Sequence, residues 1–123
     1  MKLSQRRYAD TLVLAPAGRL DHDSCDDFGA ELQPLVEDAR DGRALVLDLS
    51  ALEYVSSAGL RLLMLAGKQA RTQGGRIMIA AMRPLVAEIF QISRFTMLFE
   101  IYPGVRDALS AASPQAAAAF DGG

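Results

Sequence analysis

A chain of 123 residues, half of them hydrophobic, has room for one domain around one modest core. Thirteen bases against fifteen acids leave a net charge of −2, a balance that gives no electrostatic case for nucleic-acid binding, which would call for a clustered basic excess. The single cysteine, Cys25, excludes an internal disulfide and fits a reducing compartment, and no apolar run approaches the roughly 18 residues of a membrane span.

The start, Met1 to Arg7, has no apolar stretch behind it, so no secretory leader and a cytoplasmic location are expected. Tyr8 to Ala15 reads as one or two short strands with a turn at Asp10-Thr11, ended by Pro16 and Gly18. Ser24 opens a helical pattern with Phe28, Leu32, Leu35, Val36 and Ala39 on one face. Asp26 and Asp27 suit the positive end of its dipole. Pro34 is expected to kink this helix or tighten its turn, because an interior proline removes a hydrogen bond and crowds the preceding turn. Asp41-Gly42 ends the element. Ala44 to Leu47 are four apolar residues in a row, the mark of a strand buried on both faces in a parallel sheet.

A polar loop is expected after Asp48, then a second helix over about 57–72. Its predicted inward stripe is Leu60, Leu63, Met64, Gly67 and Ala70, with Arg61, Lys68, Gln69 and Arg71 on the other side. Gly74-Gly75 closes it. Arg76 to Met82 reads as another buried strand, and Arg83-Pro84 opens a third helix with Val86, Ile89 and Phe90 apolar. Phe95 to Phe99 is an apolar turn, Glu100 to Tyr102 a short edge strand, and Gly104 to Ala112 a last helix with Val105, Ala108 and Leu109 inward. Residues 113–123 are read as a loose tail. The alternation implies an α/β fold: one domain over residues 1–123 with its core at about 8–112. A mostly parallel or mixed sheet of four to five strands is covered by about four helices.

Enzyme chemistry finds little support. Ser57, His22 and one of many acids offer the residue types of a hydrolase triad. His22 is the only histidine, however, and sits in the polar segment Asp21-His22-Asp23-Ser24, which reads as an exposed helix start. The Gly-x-Ser-x-Gly elbow is absent around Ser57, and no glycine-rich loop precedes a Lys-Ser/Thr pair. One cysteine and one histidine do not make a structural zinc site. Asp21, Asp23, Asp26 and Asp27 could attract a divalent cation, but they read more simply as solvated acids near a helix N-terminus. Cys25 lies among them, so like charge disfavours its thiolate. No catalytic residue, metal or cofactor is assigned.

Ser56 and Ser57 stand directly before the second helix, where the first N–H groups lack partners and the dipole is positive. A hydroxyl there can cap the helix; a phosphate there would be stabilised as any anion at a helix N-terminus is.

Around these residues the chain resembles the STAS family, and within it the bacterial anti-sigma factor antagonists. That family pairs a buried strand and Asp-Leu-Ser with a short loop and Asp-Ser-Ser/Thr-Gly-Leu opening a helix. Asp48-Leu49-Ser50 matches, Ser57 falls on the phosphoacceptor, and Gly59-Leu60 falls on the Gly-Leu pair. Ser56 stands in place of the family's Asp, and Ala58 in place of Ser/Thr. Gly18-Arg19-Leu20-Asp21 matches a second signature, Gly-x-Leu-Asp. Gly74-Gly75, a strand and Pro84 match a third. The resemblance covers residues 8–112.

It implies a regulatory domain without catalysis, working by partner switching. The unphosphorylated form binds an anti-sigma factor that is also a serine kinase, and so releases a sigma factor. Phosphorylation at Ser57 (alternatively Ser56) ends the complex, and a serine phosphatase resets it. ATP belongs to the kinase. The implied partner surface comprises Asp21, Ser56, Ser57, Ala58, Gly59 and Arg61. Two alternatives stay open: a docking subunit of a signalling or lipid-transporter assembly, and a small-molecule or nucleotide binder using the same helix N-terminus.

Overall fold

The computed structural model describes residues 1–122. Six strands, β1 (Lys2–Tyr8), β2 (Thr11–Leu20), β3 (Ala44–Asp48), β4 (Leu52–Val55), β5 (Arg76–Ala80) and β6 (Glu100–Tyr102), form one sheet. Its order is β1-β2-β3-β5-β6, and β4 pairs with the far half of β2. Only β1 is antiparallel to its neighbour; the other pairings are parallel. Helices α1 (Cys25–Asp38), α2 (Ser57–Thr72), α3 (Pro84–Ile92), α4 (Val105–Ala112) and α5 (Pro114–Gly122) cover it, with a single 3-10 turn over Phe95–Met97.

The two faces carry separate apolar clusters. Leu45, Leu47, Ile77 and Ile79 pack under α1, α2 and α3, against Phe28, Leu32, Leu63 and Phe90. Val46, Met78 and Ala80 pack under α4 and α5 with Leu109 and Ala116. Strands buried on both sides have no polar alternation, and this is why β3 and β5 read as continuous apolar runs. They are direct neighbours, Ala44 to Asp48 in register with Arg76 to Ala80.

Several expectations need correction. The first strand begins at Lys2, six residues before Tyr8, and the turn is Ala9-Asp10, with Ala9 at a φ of 55°. The loop after Asp48 contains a strand, β4, so the sheet has six strands where four to five were expected. The second helix has the predicted bounds, but its buried residues are Gly59, Leu63, Ala66 and Ala70; Leu60 and Met64 are only half-buried. Helix α1 continues past Pro34 to Asp38, as a helix with an interior proline, and Pro34 and Ala30 are both exposed.

Residues 114–122 are not a loose tail. They form α5, whose Ala116 and Ala117 are buried. Pro114 stands at the first helical position, and the Ser113 hydroxyl accepts a hydrogen bond from the Ala116 N–H at 3.2 Å. Four alanines supply propensity, and Phe120 packs on Tyr8 with ring centroids 5.3 Å apart. A bidentate ion pair from Arg106 to Asp121, at 2.8 and 2.7 Å, ties α5 to α4. Among the described residues the helices accordingly number five, where about four were expected.

Candidate functional site

Parallel pairing gathers strand ends on one side of the sheet. Leu20 at the end of β2 is in register with Val55 at the end of β4. The two following residues, Asp21 and Ser56, therefore leave the sheet side by side. The Ser56 N–H donates to the Leu20 carbonyl at 2.8 Å and locks the start of α2 to β2.

The two serines hold different positions. Ser56 is the N-cap: its backbone is extended, and its Oγ accepts from the Gly59 N–H at 3.2 Å. One unpartnered amide of the helix end is thereby satisfied. Ser57 is the first helical residue and is exposed, and its hydroxyl takes no part in the cap. Ala58 is half-buried. Gly59 is buried and presses on β2: a Cβ there would lie 2.8 Å from Leu20 Cγ and 3.1 Å from the Leu20 carbonyl oxygen. A side chain at this position would push α2 off the strand.

Arg61 is exposed, one turn beyond Ser57. Leu65, half exposed at 50%, continues the same face at the next four-residue step. Ser57, Arg61 and Leu65 thus form one outward stripe. Leu65 escapes sequence reasoning because a leucine among core leucines carries no mark of exposure; its spacing of eight from Ser57 is the available signal.

Asp21 is committed to the adjoining loop. Its Oδ1 accepts from the Ser24 N–H at 3.1 Å, and its own N–H donates to the Ser24 Oγ at 3.0 Å. The Ser24 Oγ also donates to the Arg19 carbonyl at 2.8 Å. The backbone bond from Ser24 holds the Asp21 carboxyl below the usual carboxylate range. Asp21 therefore shapes the β2–α1 turn beside the start of α2. Next to it, the Arg19 guanidinium lies 4.4 Å over the Tyr54 ring, across the β2–β4 pair. This pair is invisible in the sequence, because it depends on a four-residue strand too short to display a period.

Asp48, the acid of the Asp-Leu-Ser signature, accepts from the Ser50 N–H at 3.0 Å and closes the turn into β4. The Arg83 Nε donates to the Ser50 carbonyl at 2.8 Å, which ties that turn to the start of α3.

The enzyme-like residues do not converge. His22, Asp23, Asp26 and Asp27 are exposed, and among the described residues no cluster of three His, Cys, Asp or Glu could hold a metal. Burial raises the Cys25 thiol pKa, with the charges of Asp21 and Asp26 adding to the effect. No helix among the described residues is long and apolar enough to cross a membrane.

A family profile described as "Mlab, STAS domain" matches residues 3–100. The chain is 35% identical over 112 residues to a Bordetella bronchiseptica protein named as an anti-sigma factor antagonist, BtrV, covering 91% of this chain and 94% of that one. It superposes on an anti-sigma factor antagonist from Mycobacterium paratuberculosis with a TM-score of 0.80 and 24% identity, over 90% of this chain and 92% of that one. The Bacillus cell-fate determinant SpoIIAA, solved in its phosphorylated form, gives a TM-score of 0.69 at 16% identity, over 91% of this chain and 100% of that one. The profile covers most of the chain, and the chain belongs to the STAS domain family.

Proposed function

We propose that this domain is an anti-sigma factor antagonist that works by partner switching, with Ser57 as the phosphoacceptor. Its unphosphorylated form binds an anti-sigma factor that is also a serine kinase. A serine phosphatase acting on the phosphorylated form restores binding. The domain itself regulates without catalysing a reaction and takes no cofactor.

The observation that carries this reading is the division of labour between the two serines. Ser56 is engaged as the cap, while Ser57 presents its side chain outward at the positive end of a 16-residue helix. A phosphate there, with a charge of about −1.5 to −2, would meet unpaired backbone amides and, one turn on, Arg61. The product is therefore tolerated by the domain, while the same charge inside a packed interface costs desolvation and repulsion. The docking surface is the N-terminal part of α2 with the adjoining Asp21 turn: Asp21, Ser56, Ser57, Ala58, Gly59 and Arg61, extended by Leu65.

A second reading, a constitutive docking subunit, draws on Ser56 replacing the acid that precedes the acceptor in the family pattern. Incubation with the kinase-type anti-sigma partner and ATP, followed by phosphate mapping by mass spectrometry, separates the two. Phosphate on Ser57 with loss of binding is expected. Phosphate on Ser56 would move the assignment by one residue. Stable binding with neither serine modified would favour the docking subunit.

A further inference from the structure

We infer that the free edge of β1 is a second docking site, one that takes an acidic, extended segment of a partner protein as an added strand. The inference is independent of the switch at Ser57.

Strand β1 ends the sheet, and among the described residues nothing pairs with its outer side. Its hairpin closes on two residues, so Tyr8 and Thr11 form the hydrogen-bonded pair next to the turn. Hydrogen-bonded and non-bonded pairs alternate in an antiparallel ladder. Arg6, Ser4 and Lys2 therefore bond to Val13, Ala15 and Ala17, while Leu3, Gln5 and Arg7 direct their N–H and C=O groups outward. Those groups match the needs of an incoming strand.

Charge selects the occupant. The strand reads Lys2-Leu3-Ser4-Gln5-Arg6-Arg7-Tyr8, with three cations and no acid. None of the three cations enters an ion pair among the described residues, and all three are exposed. A second copy would set cations against cations and is disfavoured, whereas an acidic strand would be attracted. The edge is also seven residues long and lacks proline and a bulge, two common devices for blocking such an edge.

The test uses the whole protein and a short synthetic peptide alternating glutamate with valine, followed by amide NMR and hydrogen exchange. Saturable binding is expected, with exchange slowed at Leu3, Gln5 and Arg7, and affinity about tenfold lower at high salt than at low salt. The lysine–valine counterpart should not bind. Gln5→Pro removes one outward N–H at an edge position where proline is tolerated, and should weaken binding at least about tenfold with the fold intact. If that variant does not fold, Arg6→Glu with Arg7→Glu supplies the same test through charge. Lack of binding, protection at α2 in place of β1, or affinity unchanged in both variants would overturn the inference. So would dimerisation of the protein through β1, since it would identify a second copy as the occupant.

Discussion

Gly59 and Leu20 touch with no room for a methyl group between them: a Cβ on Gly59 would stand 2.8 Å from Leu20 Cγ. Gly59→Ala is therefore expected to destabilise by about 1–3 kcal/mol, despite the helix propensity alanine adds. Urea melts measure this, and amide shifts at Asp21 and Ser56 would report the accompanying movement of α2 from β2.

The serines should separate by stability. Ser56→Ala removes the cap on Gly59 and should cost about 0.5–2 kcal/mol. Ser57→Ala removes an exposed hydroxyl that caps nothing and should fall within about 0.5 kcal/mol of wild type. Thermal melts of both variants check the contrast, and a larger loss for Ser57→Ala would give that serine a structural role.

Binding should follow the other serine. Ser57→Asp should weaken affinity for the anti-sigma partner at least about tenfold, or 1.4 kcal/mol, by placing charge in the contact. Leu65→Ala should weaken it too while leaving the melting temperature nearly unchanged, because this leucine is half exposed. Calorimetry on the purified pair measures both. Unaltered affinity for Ser57→Asp would remove the switch from this position.

Neighbouring residues of α2 should differ in stability in a way that the sequence stripe does not convey. Leu63 is 1% exposed within the core, so Leu63→Ala should cost about 2–5 kcal/mol. Met64 is half-buried outside that cluster, and Met64→Ala should cost clearly less. Equal losses would show that α2 is rotated about its axis relative to this arrangement.

Part of the acid sensitivity should trace to the pair of Arg76 and Glu100. Arg76 donates to both oxygens of Glu100, at 2.8 and 2.6 Å. These hydrogen bonds, with a further one from Tyr102, lower the Glu100 pKa below its ordinary 4.5. The unfolded chain then binds the proton more readily than the folded one. The pair's stabilisation is present above the ordinary value and is lost as pH falls through the lowered one. Urea midpoints of wild type should fall more steeply than those of Glu100→Gln over that window.

Legibility in the sequence followed burial pattern and length. The runs Ala44–Leu47 and Ile77–Ala81 announced themselves because a central parallel strand is apolar throughout, although the second strand ends at Ala80, two residues before the predicted Met82, and α2 because sixteen residues carry several helical periods. β1 was hidden, since an edge strand with cations on both faces keeps only Leu3 and Tyr8 as apolar markers. β4 was hidden by its four residues. The α5 helix had a usable signal, Ser113-Pro114 before four alanines, but its amphipathic face is narrow and composition alone suggested a coil. At the candidate site, the position of Ser57 on α2 was legible. The assignment of the cap to Ser56, the exposure of Leu65 and the Arg19–Tyr54 stack were not, because each depends on how α2 and β4 sit against β2.

The stack of Tyr8 on Phe120 joins residues separated by nearly the entire chain. During synthesis the β1–β2 hairpin is made before α5, and its side facing Phe120 stays wet until α5 has emerged. Contacts at such separation come late, since the intervening loop must close before they can form. The α4–α5 side of the sheet is therefore the last to be completed, after the residues of the α1–α2–α3 side, Ser57 included, have been made.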